Sequence, residues 1–200
     1  MHRAALALVV VVGACGSFAS DAAAGVTMTV KTRSYVVSGA TGAALLGAMD
    51  RHGPKHGFLT RAIAQTRYTI AWKMEWGETR TACRVRRVDG ELAITYTYPR
   101  LEGPISRDLQ RRWRRFIRGV QRHEEMHGTL ARQMVKQAER SVSKLSIRND
   151  RQCRQARREV KRRIDAIYAE YEMKQVAFDA REHRDGGPVE GLIAALVQER

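Results

Sequence analysis

Two histidines and a glutamate form the motif H-E-x-x-H at His123, Glu124 and His127. On a helix, residues four apart share a face, so the two imidazoles can bind one zinc ion while Glu124 points at a nearby water molecule. This is the chemistry of a metallohydrolase, in which a zinc-activated water attacks a carbonyl and Glu124 acts as the general base. Glu125, one step further around the helix, is expected to be a solvent-exposed charge.

A long helix is predicted around this motif. Ser106 is a suitable N-cap, and the helix is expected to run to about Ile147. Apolar residues recur along it at steps of three and four, and both histidines lie on the same face. These apolar residues are Leu109, Trp113, Phe116, Val120, Leu130, Met134 and Leu145. The motif therefore lies in mid-helix on the buried face, a setting that few chance matches to the motif would share.

A second helix is predicted after Asn149 or Asp150, either of which can cap it. The two helices would form an antiparallel hairpin. The apolar stripe of the second helix again has helical spacing: Cys153, Val160, Ile164, Ile167, Tyr171 and Phe178.

This second helix carries the candidates for a third zinc ligand, because a catalytic zinc needs three protein ligands and an open position. The candidates are Glu172, Asp179 and His183. If the hairpin turns near Arg148, Glu172 lies level with the motif and His183 about 15 Å beyond it, at 1.5 Å per residue. The chain would then have to fold back after Phe178 for His183 to bind.

Residues 26–38 and 66–76 alternate apolar and polar side chains and predict two strands. A short helix is expected between them at Gly42–Met49, with Thr41 as its cap.

A β-hairpin is predicted next, with strands at 83–88 and 91–98 and a turn at Asp89-Gly90. In this hairpin Val85 faces Ile94 and Cys83 faces Tyr96. Pro99 is expected to end the sheet. The predicted fold class is α+β: a small antiparallel sheet packed against a long antiparallel helical hairpin carrying H-E-x-x-H, a zincin-like arrangement.

The first 24 residues are typical of a signal peptide, with a charged start and an apolar run at 4–12 that is too short to span a bilayer. Cleavage at Ala22–Ala24 is expected, with lipidation at Cys15 as the alternative. The protein is therefore expected to be secreted or periplasmic, without a transmembrane helix in the mature chain. Cys83 and Cys153 then remain as an even pair in an oxidising compartment, which predicts a disulfide.

The chain is strongly basic, with 36 Lys and Arg against 21 Asp and Glu and a formal net charge of +15. Such a charge predicts attraction to an anionic surface of the cell envelope. The Arg-rich segment 151–163 has no interleaved aromatic residues, which argues against nucleic acid as a partner.

Several short motifs, taken in order, resemble a bacterial domain-of-unknown-function family described as predicted secreted zinc-dependent proteases. They are the sequence at 35–41, Arg51-His52-Gly53-Pro54, Tyr98-Pro99-Arg100, His123 to His127, and the positions of Cys83 and Cys153.

The end of the second helix departs from that family's pattern, because Phe178 replaces a tyrosine, Glu182 replaces a threonine and His183 comes one residue early. His183 nevertheless matches the family histidine best. The resemblance thus implies Zn²⁺ bound by His123, His127 and His183, with Asp179 or Glu172 as alternatives to His183.

The resemblance implies a zinc-dependent protease-like domain at 25–187, between the signal peptide at 1–24 and a C-terminal tail at 188–200. The expected function is an exported zinc-dependent metallopeptidase acting on a peptide or protein substrate. The alternative is a catalytically degenerate, basic envelope protein that binds anionic polymers or a protein partner.

Overall fold

The computed structural model describes residues 25–56 and 60–198. The elements are, in chain order, β1 (Val26–Val37), α1 (Gly42–His52), β2 (Lys55–His56), β3 (Thr60–Arg61), β4 (Gln65–Glu78), β5 (Ala82–Leu101), α2 (Arg107–Val142), β6 (Ser146–Arg148), a 3₁₀ turn (Arg151–Cys153), α3 (Arg154–Glu182) and α4 (Pro188–Val197). The α+β class is confirmed. The predicted signal peptide at 1–24, with Cys15 and the cleavage site at 22–24, lies outside the described residues.

The main sheet has β5 at its centre. β1 pairs with one edge of β5 in parallel, β4 pairs with the other edge in antiparallel fashion, and β6 adds a short antiparallel pairing. The sheet is therefore mixed, and the prediction of an antiparallel sheet is wrong. A parallel pair requires a long crossover connection, and the chain from α1 to β4 supplies one between β1 and β5.

The hairpin predicted at Asp89-Gly90 is also wrong, because β5 runs unbroken through both residues. A two-residue type I′ turn needs positive φ at both positions, and neither residue has it. Gly90 instead lies under the indole of Trp72, where a Cβ atom would come within 2.8 Å of the ring. Asp89 pairs with Arg87 at 2.7 Å. Both residues thus have roles within a strand.

The hairpin of this sheet joins β4 to β5 through residues 79–81. The Thr79 N–H donates to the carbonyl of Ala82 at 2.8 Å, and the Ala82 N–H donates to the Thr79 hydroxyl at 3.0 Å. Cys83 and Tyr96 therefore belong to one strand and do not face each other, and the same holds for the predicted Val85–Ile94 pair.

Pro99 does not end the sheet, since β5 continues to Leu101. The N–H groups of Gly90 and Glu102 donate to the carbonyls of Gly25 and Val37. The backbone N–H groups of even-numbered residues at this end of β5 therefore point towards β1. The odd-numbered Pro99 faces the other side, where β4 has already ended at the Gln65–Thr97 pair. A proline without an N–H is tolerated there because no neighbouring strand needs one.

The predicted N-cap of the motif helix is confirmed, because the Leu109 N–H donates to the Ser106 hydroxyl at 3.2 Å. The helix ends at Val142 and not near Ile147. Ile147 instead pairs with Cys83 in β6, and the Leu145 carbonyl accepts from the Val85 N–H at 2.9 Å. The chain that follows α2 therefore adds a short strand to the sheet.

α3 runs antiparallel to α2, as predicted, and Asp150 caps its start. The Asp150 carboxylate accepts the N–H groups of Gln155 at 3.0 Å and Ala156 at 2.7 Å. The expected disulfide joins Cys83 of β5 to Cys153. It thereby fastens the beginning of α3 to the sheet.

The core lies where α2 crosses the sheet. Its fully buried side chains include Leu92, Ile94, Leu109, Phe116, Ala131 and Val135. Gly128 allows the closest approach, since a Cβ atom there would lie 2.0 Å from the Tyr96 hydroxyl oxygen. The helix segment that carries the motif is thus held against β5.

The C-terminal segment forms helix α4, which packs against α1 and α2 through the buried Leu196. Arg112 donates to the carbonyls of Leu196 and Gln198 at 2.5 and 2.7 Å and so caps the end of this helix. No helix within the described residues is both long and apolar enough to cross a bilayer.

Candidate metal centre

His123 and His127 lie one turn apart on α2 and face α3. Their Nε2 atoms are 3.2 Å apart, and the side chains are only 11% and 15% exposed. Phe178 of α3 stacks on His123, with ring centroids 4.9 Å apart, and makes a T-shaped contact with His127, with ring centroids 5.1 Å apart. The two imidazoles are therefore fixed between a helix and an aromatic ring.

Asp179 of α3 completes a triangle with the two histidines. Its Oδ1 atom lies 2.9 Å from Nε2 of His127 and 3.4 Å from Nε2 of His123. In a tetrahedral zinc site with ligands at 2.0–2.1 Å, neighbouring ligand atoms are about 3.4 Å apart. The three atoms thus have the spacing of three ligands around one ion.

Gln175 fixes Nδ1 of His127 as a hydrogen-bond donor. Its amide nitrogen donates to the His127 carbonyl at 3.2 Å, so its oxygen is the atom 2.6 Å from Nδ1 of the ring. That oxygen only accepts, and Nδ1 must therefore donate. The Nε2 atom of the same ring points towards Asp179 and His123.

The Asp179 oxygen in the triangle is buried but accepts no hydrogen bond. Burial and the neighbouring His127 lower the pKa of His123 to about 4, so this ring is neutral near pH 7. Two imidazole nitrogens and a carboxylate oxygen therefore converge on one point. A buried carboxylate oxygen without a hydrogen bond is costly unless a cation lies there, and the donor set of imidazoles and carboxylate suits zinc.

His183 lies beside this triangle at the C-terminal end of α3. Its ring centroid is 5.2 Å from that of His123, and its ligand atom lies within 4.8 Å of those of His123 and Asp179. The expected fold-back after Phe178 does not occur, because α3 continues to Glu182. The connection between the helices spans residues 143–153 and is centred on Arg148, as predicted. It includes the extended strand β6, and Asp179 rather than Glu172 lies level with His123.

Glu172 does not join the group, although the sequence places it among the candidate ligands. It lies seven residues before Asp179, about two helical turns or 10 Å along α3. Burial raises the pKa of Tyr68 on β4, and the negative charge of Glu172 adds to this effect.

Glu124 faces the sheet and not the ring of His123. Its side chain is buried, and the hydroxyl of Thr66 on β4 donates to its Oε2 atom at 2.6 Å. Burial raises the pKa of this carboxyl group, while the Thr66 hydrogen bond opposes the rise. A buried carboxyl group with a raised pKa is suited to taking up and releasing a proton.

Glu125 is exposed, as predicted. It lines a cavity of about 480 Å³ between α2 and the β1–β5 pair, together with Tyr98, Thr129 and Arg132. This cavity opens on the side of α2 away from the histidines. It is therefore separate from the metal centre.

Sequence reasoning did not identify Gln175 or Thr66 as site residues. Gln175 is a buried polar residue within the apolar stripe of α3, one turn before Asp179. A polar residue within an apolar stripe could have marked Gln175 as a candidate site residue. Nothing in the sequence marks Thr66 in this way, because its contact with Glu124 spans 58 positions of the chain.

Comparison with known proteins gives one family. Searches of curated proteins and of solved structures gave no match. A family model described as bacterial protein of unknown function (DUF922) matches residues 32–187, well over half of the chain and all the residues of the candidate metal centre. The chain therefore belongs to the DUF922 family of bacterial proteins.

Proposed function

We propose that this protein is an exported zinc-dependent metallopeptidase. The observation that carries the proposal is the triangle of His123, His127 and Asp179, whose Nε2, Nε2 and Oδ1 atoms lie 2.9–3.4 Å apart beside the buried Glu124, with the Asp179 oxygen buried and without a hydrogen bond. His123, His127 and Asp179 would hold the ion, and His183 lies close enough to approach it. Bound zinc would polarise a substrate carbonyl and acidify a water molecule.

Glu124 performs the proton transfers. It takes the proton of the attacking water and then donates it to the leaving amine nitrogen. Thr66 holds the carboxyl group in place through its hydroxyl, and burial keeps the pKa of Glu124 above its usual value. Both effects prepare one group to act first as base and then as acid.

The substrate reaches this site along β4. In the described part of the chain β4 pairs only with β5, so its outer edge has free N–H and C=O groups beside Thr66 and Tyr68. An extended peptide can add to such an edge by backbone hydrogen bonds, which tolerate varied sequences. The Asp179 side chain is 47% exposed, so the centre opens to solvent on the α3 side.

The test is metal analysis combined with a hydrolysis assay. Protein purified from the periplasm should contain one zinc per chain and cleave members of a broad peptide library, and a chelator should stop the cleavage. Absence of zinc together with absence of cleavage would exclude the proposal.

A second candidate function is binding of an anionic envelope polymer. Arg114, Arg118 and Arg122 form an exposed row on α2 and make no ion pair with a described residue. Replacing all three with glutamine should weaken binding and its salt dependence, whereas replacing Lys31, Arg33 and Arg84 on the sheet should not. If the two sets of replacements weaken binding equally, the net charge of the protein and not the row on α2 is responsible for the binding.

A further inference from the structure

β1 forms one edge of the main sheet, and its outer side has no strand partner within residues 25–56 and 60–198. The carbonyls of Gly25 and Val37 accept from β5, so odd-numbered residues of β1 turn their backbone groups inward and even-numbered residues turn theirs outward. Prolines, bulges or short strands usually protect such an edge. β1 has none of these, because its twelve residues include no proline and keep one register throughout.

The even-numbered side chains of β1 lie on the α2 side of the sheet, in register with Ile94 and Tyr96 of β5. α2 covers β5 but leaves β1 open, so Met28 is 43% and Val30 49% exposed. Together with Val36, they are three of the six large apolar side chains that are exposed in the described part of the chain. Exposed apolar side chains grouped on one free edge are typical of an interaction surface.

The cavity of about 480 Å³ adjoins this edge, because Val30 and Thr32 line it opposite α2. Arg132 is half-buried in the cavity and donates to the Tyr96 hydroxyl at 3.5 Å, but it forms no ion pair with a described residue. Since Tyr96 is the register partner of Thr32, this guanidinium lies on the Thr32 side of the cavity. Glu125 is about 10 Å away along the helix, at 1.5 Å per residue.

The opposite face of β1 is also basic. Lys31 and Arg33 are exposed there, and neither forms an ion pair with a side chain in the described ranges. The β5 partner of Lys31 is Thr95, and the β4 residue across from Thr95 is Arg67, so no acidic side chain is in this row. At positions 31 to 33 the strand therefore has a positive charge on one face, then Arg132 on the other, then a positive charge on the first face again.

We propose that β1 binds an extended acidic segment of another protein, which adds to the sheet as a further strand. Its backbone pairs with the outward N–H and C=O groups of β1. Three successive acidic side chains meet Lys31, Arg132 and Arg33 on alternating faces, and apolar residues beyond them cover Met28 and Val30. β1 and β4 are opposite edges of the sheet, so this inference does not depend on the proposed peptidase function.

A second copy of the chain does not fit this edge. Antiparallel pairing of two β1 strands about Thr32 would place Lys31 directly opposite Arg33 of the copy, and like charges in that position are destabilising. An acidic segment converts the same charges into attractive pairs. The charges on β1 therefore select the partner as well as protecting the edge from self-association.

The first experiment measures the binding of a fluorescent ten-residue peptide by anisotropy. The peptide has three consecutive acidic residues at its centre and alternating valine and threonine on both sides. Wild type should bind it about tenfold more tightly than the same peptide with amides in place of the acids. The double variant Lys31→Gln/Arg33→Gln and the single variant Arg132→Gln should each lose part of this preference.

The matched control is the double variant Lys144→Gln/Arg148→Gln, which removes two exposed positive charges near the other end of β5, where Arg148 pairs with Ala82. It should bind the acidic peptide like wild type. Equal binding of the acidic and amide peptides would overturn the inference. So would an equal loss in the control and in Lys31→Gln/Arg33→Gln, because the net charge would then explain the binding.

The second experiment tests strand addition itself. Methylating alternate backbone amides of the peptide should abolish binding for one of the two alternating sets and leave it unchanged for the other, since only one set faces β1. Thr32→Pro removes an outward N–H and should abolish binding, whereas Thr32→Ala should keep it, with circular dichroism to check that both variants fold. Equal binding of the two methylated peptides would overturn the inference. A dimer of the wild type in sedimentation that Thr32→Pro dissociates would overturn it too, in favour of a second copy.

Discussion

The Nε2 atom of His127 lies 2.9 Å from Oδ1 of Asp179, while Nδ1 of the same ring donates to Gln175. The first contact brings a carboxylate of α3 against the motif helix. The second holds the imidazole in the orientation that makes this contact.

Zinc binding should depend on the three atoms of the triangle. His123→Ala, His127→Ala and Asp179→Ala are each expected to lower zinc affinity by more than about 100-fold, beyond the usual effect of changes outside the ligand set. His183→Ala should lower it less, because that ring is exposed and stands beside the triangle. Competition with a zinc-sensitive dye measures all four. A larger loss for His183→Ala than for Asp179→Ala would make His183 the third ligand.

Gln175 should influence zinc affinity without touching the ion. Gln175→Leu removes the acceptor for Nδ1 of His127 and is expected to weaken zinc binding by about 10- to 100-fold. Gln175→Glu keeps an acceptor there and should restore most of the affinity. Gln133→Leu, an exposed site on α2, is the control and should behave like wild type. The same dye competition, with circular dichroism to check folding, decides between orientation of the ring and a general packing effect.

Glu124→Gln should retain zinc and lose hydrolysis by about 10²- to 10⁴-fold, because the amide keeps the shape of the side chain and removes the base. Glu125→Gln changes an exposed residue and should leave both properties nearly unchanged. Initial rates on a cleaved peptide, together with metal content, measure the effect. Unchanged rates in the Glu124 variant would mean that another group takes the proton.

The Cys83–Cys153 disulfide closes a loop with a sequence separation of 70, for which chain entropy predicts about 4 kcal/mol of stabilisation. Replacing both cysteines with alanine should therefore lower the free energy of unfolding by an amount of this order. Urea unfolding followed by circular dichroism measures it. A midpoint equal to that of the wild type would show that the bridge contributes no stability.

Asp150 should make stability depend on pH in the acid range. Burial acts to raise the pKa of its carboxyl group, but the N–H groups of Gln155, Ala156 and Arg154 outweigh it and hold the pKa below its usual value. The folded state then binds this proton less tightly than the unfolded state. The contribution is complete above the unfolded pKa, about 4, and is lost as pH falls through the lower folded value. Asp150→Asn should flatten this part of the stability curve, measured by urea unfolding from pH 6 to pH 2.

The motif residues could be predicted from sequence because their relationship is local. A spacing of four residues on one helix determines that His123 and His127 share a face. The position of α3 could not be predicted in the same way, because it depends on where the chain leaves α2. Ile147 was expected at the end of the helix but pairs with Cys83 in a strand, so the connection is partly extended and Asp179, not Glu172, lies level with His123.

The Asp89-Gly90 error has a related origin. The pair is favourable for a tight turn, yet Trp72 on β4 occupies the space beside Gly90 and keeps β5 extended. Only the pairing of β4 with β5 decides between the two outcomes, and that pairing is a tertiary contact. The local preference of Asp-Gly for a turn is therefore overridden where a large side chain of a neighbouring strand occupies the space.

The parallel pairing of β1 with β5 also determines the order in which the sheet can assemble. Val26 pairs with Gly90 and Val37 with Leu101, so every partner of β1 is synthesised 64 positions later. β4 and β5 are joined by the short turn at 79–81 and can pair first. The twelve residues of β1 remain unpaired until β5 has formed. During this time their free N–H and C=O groups can pair with another chain.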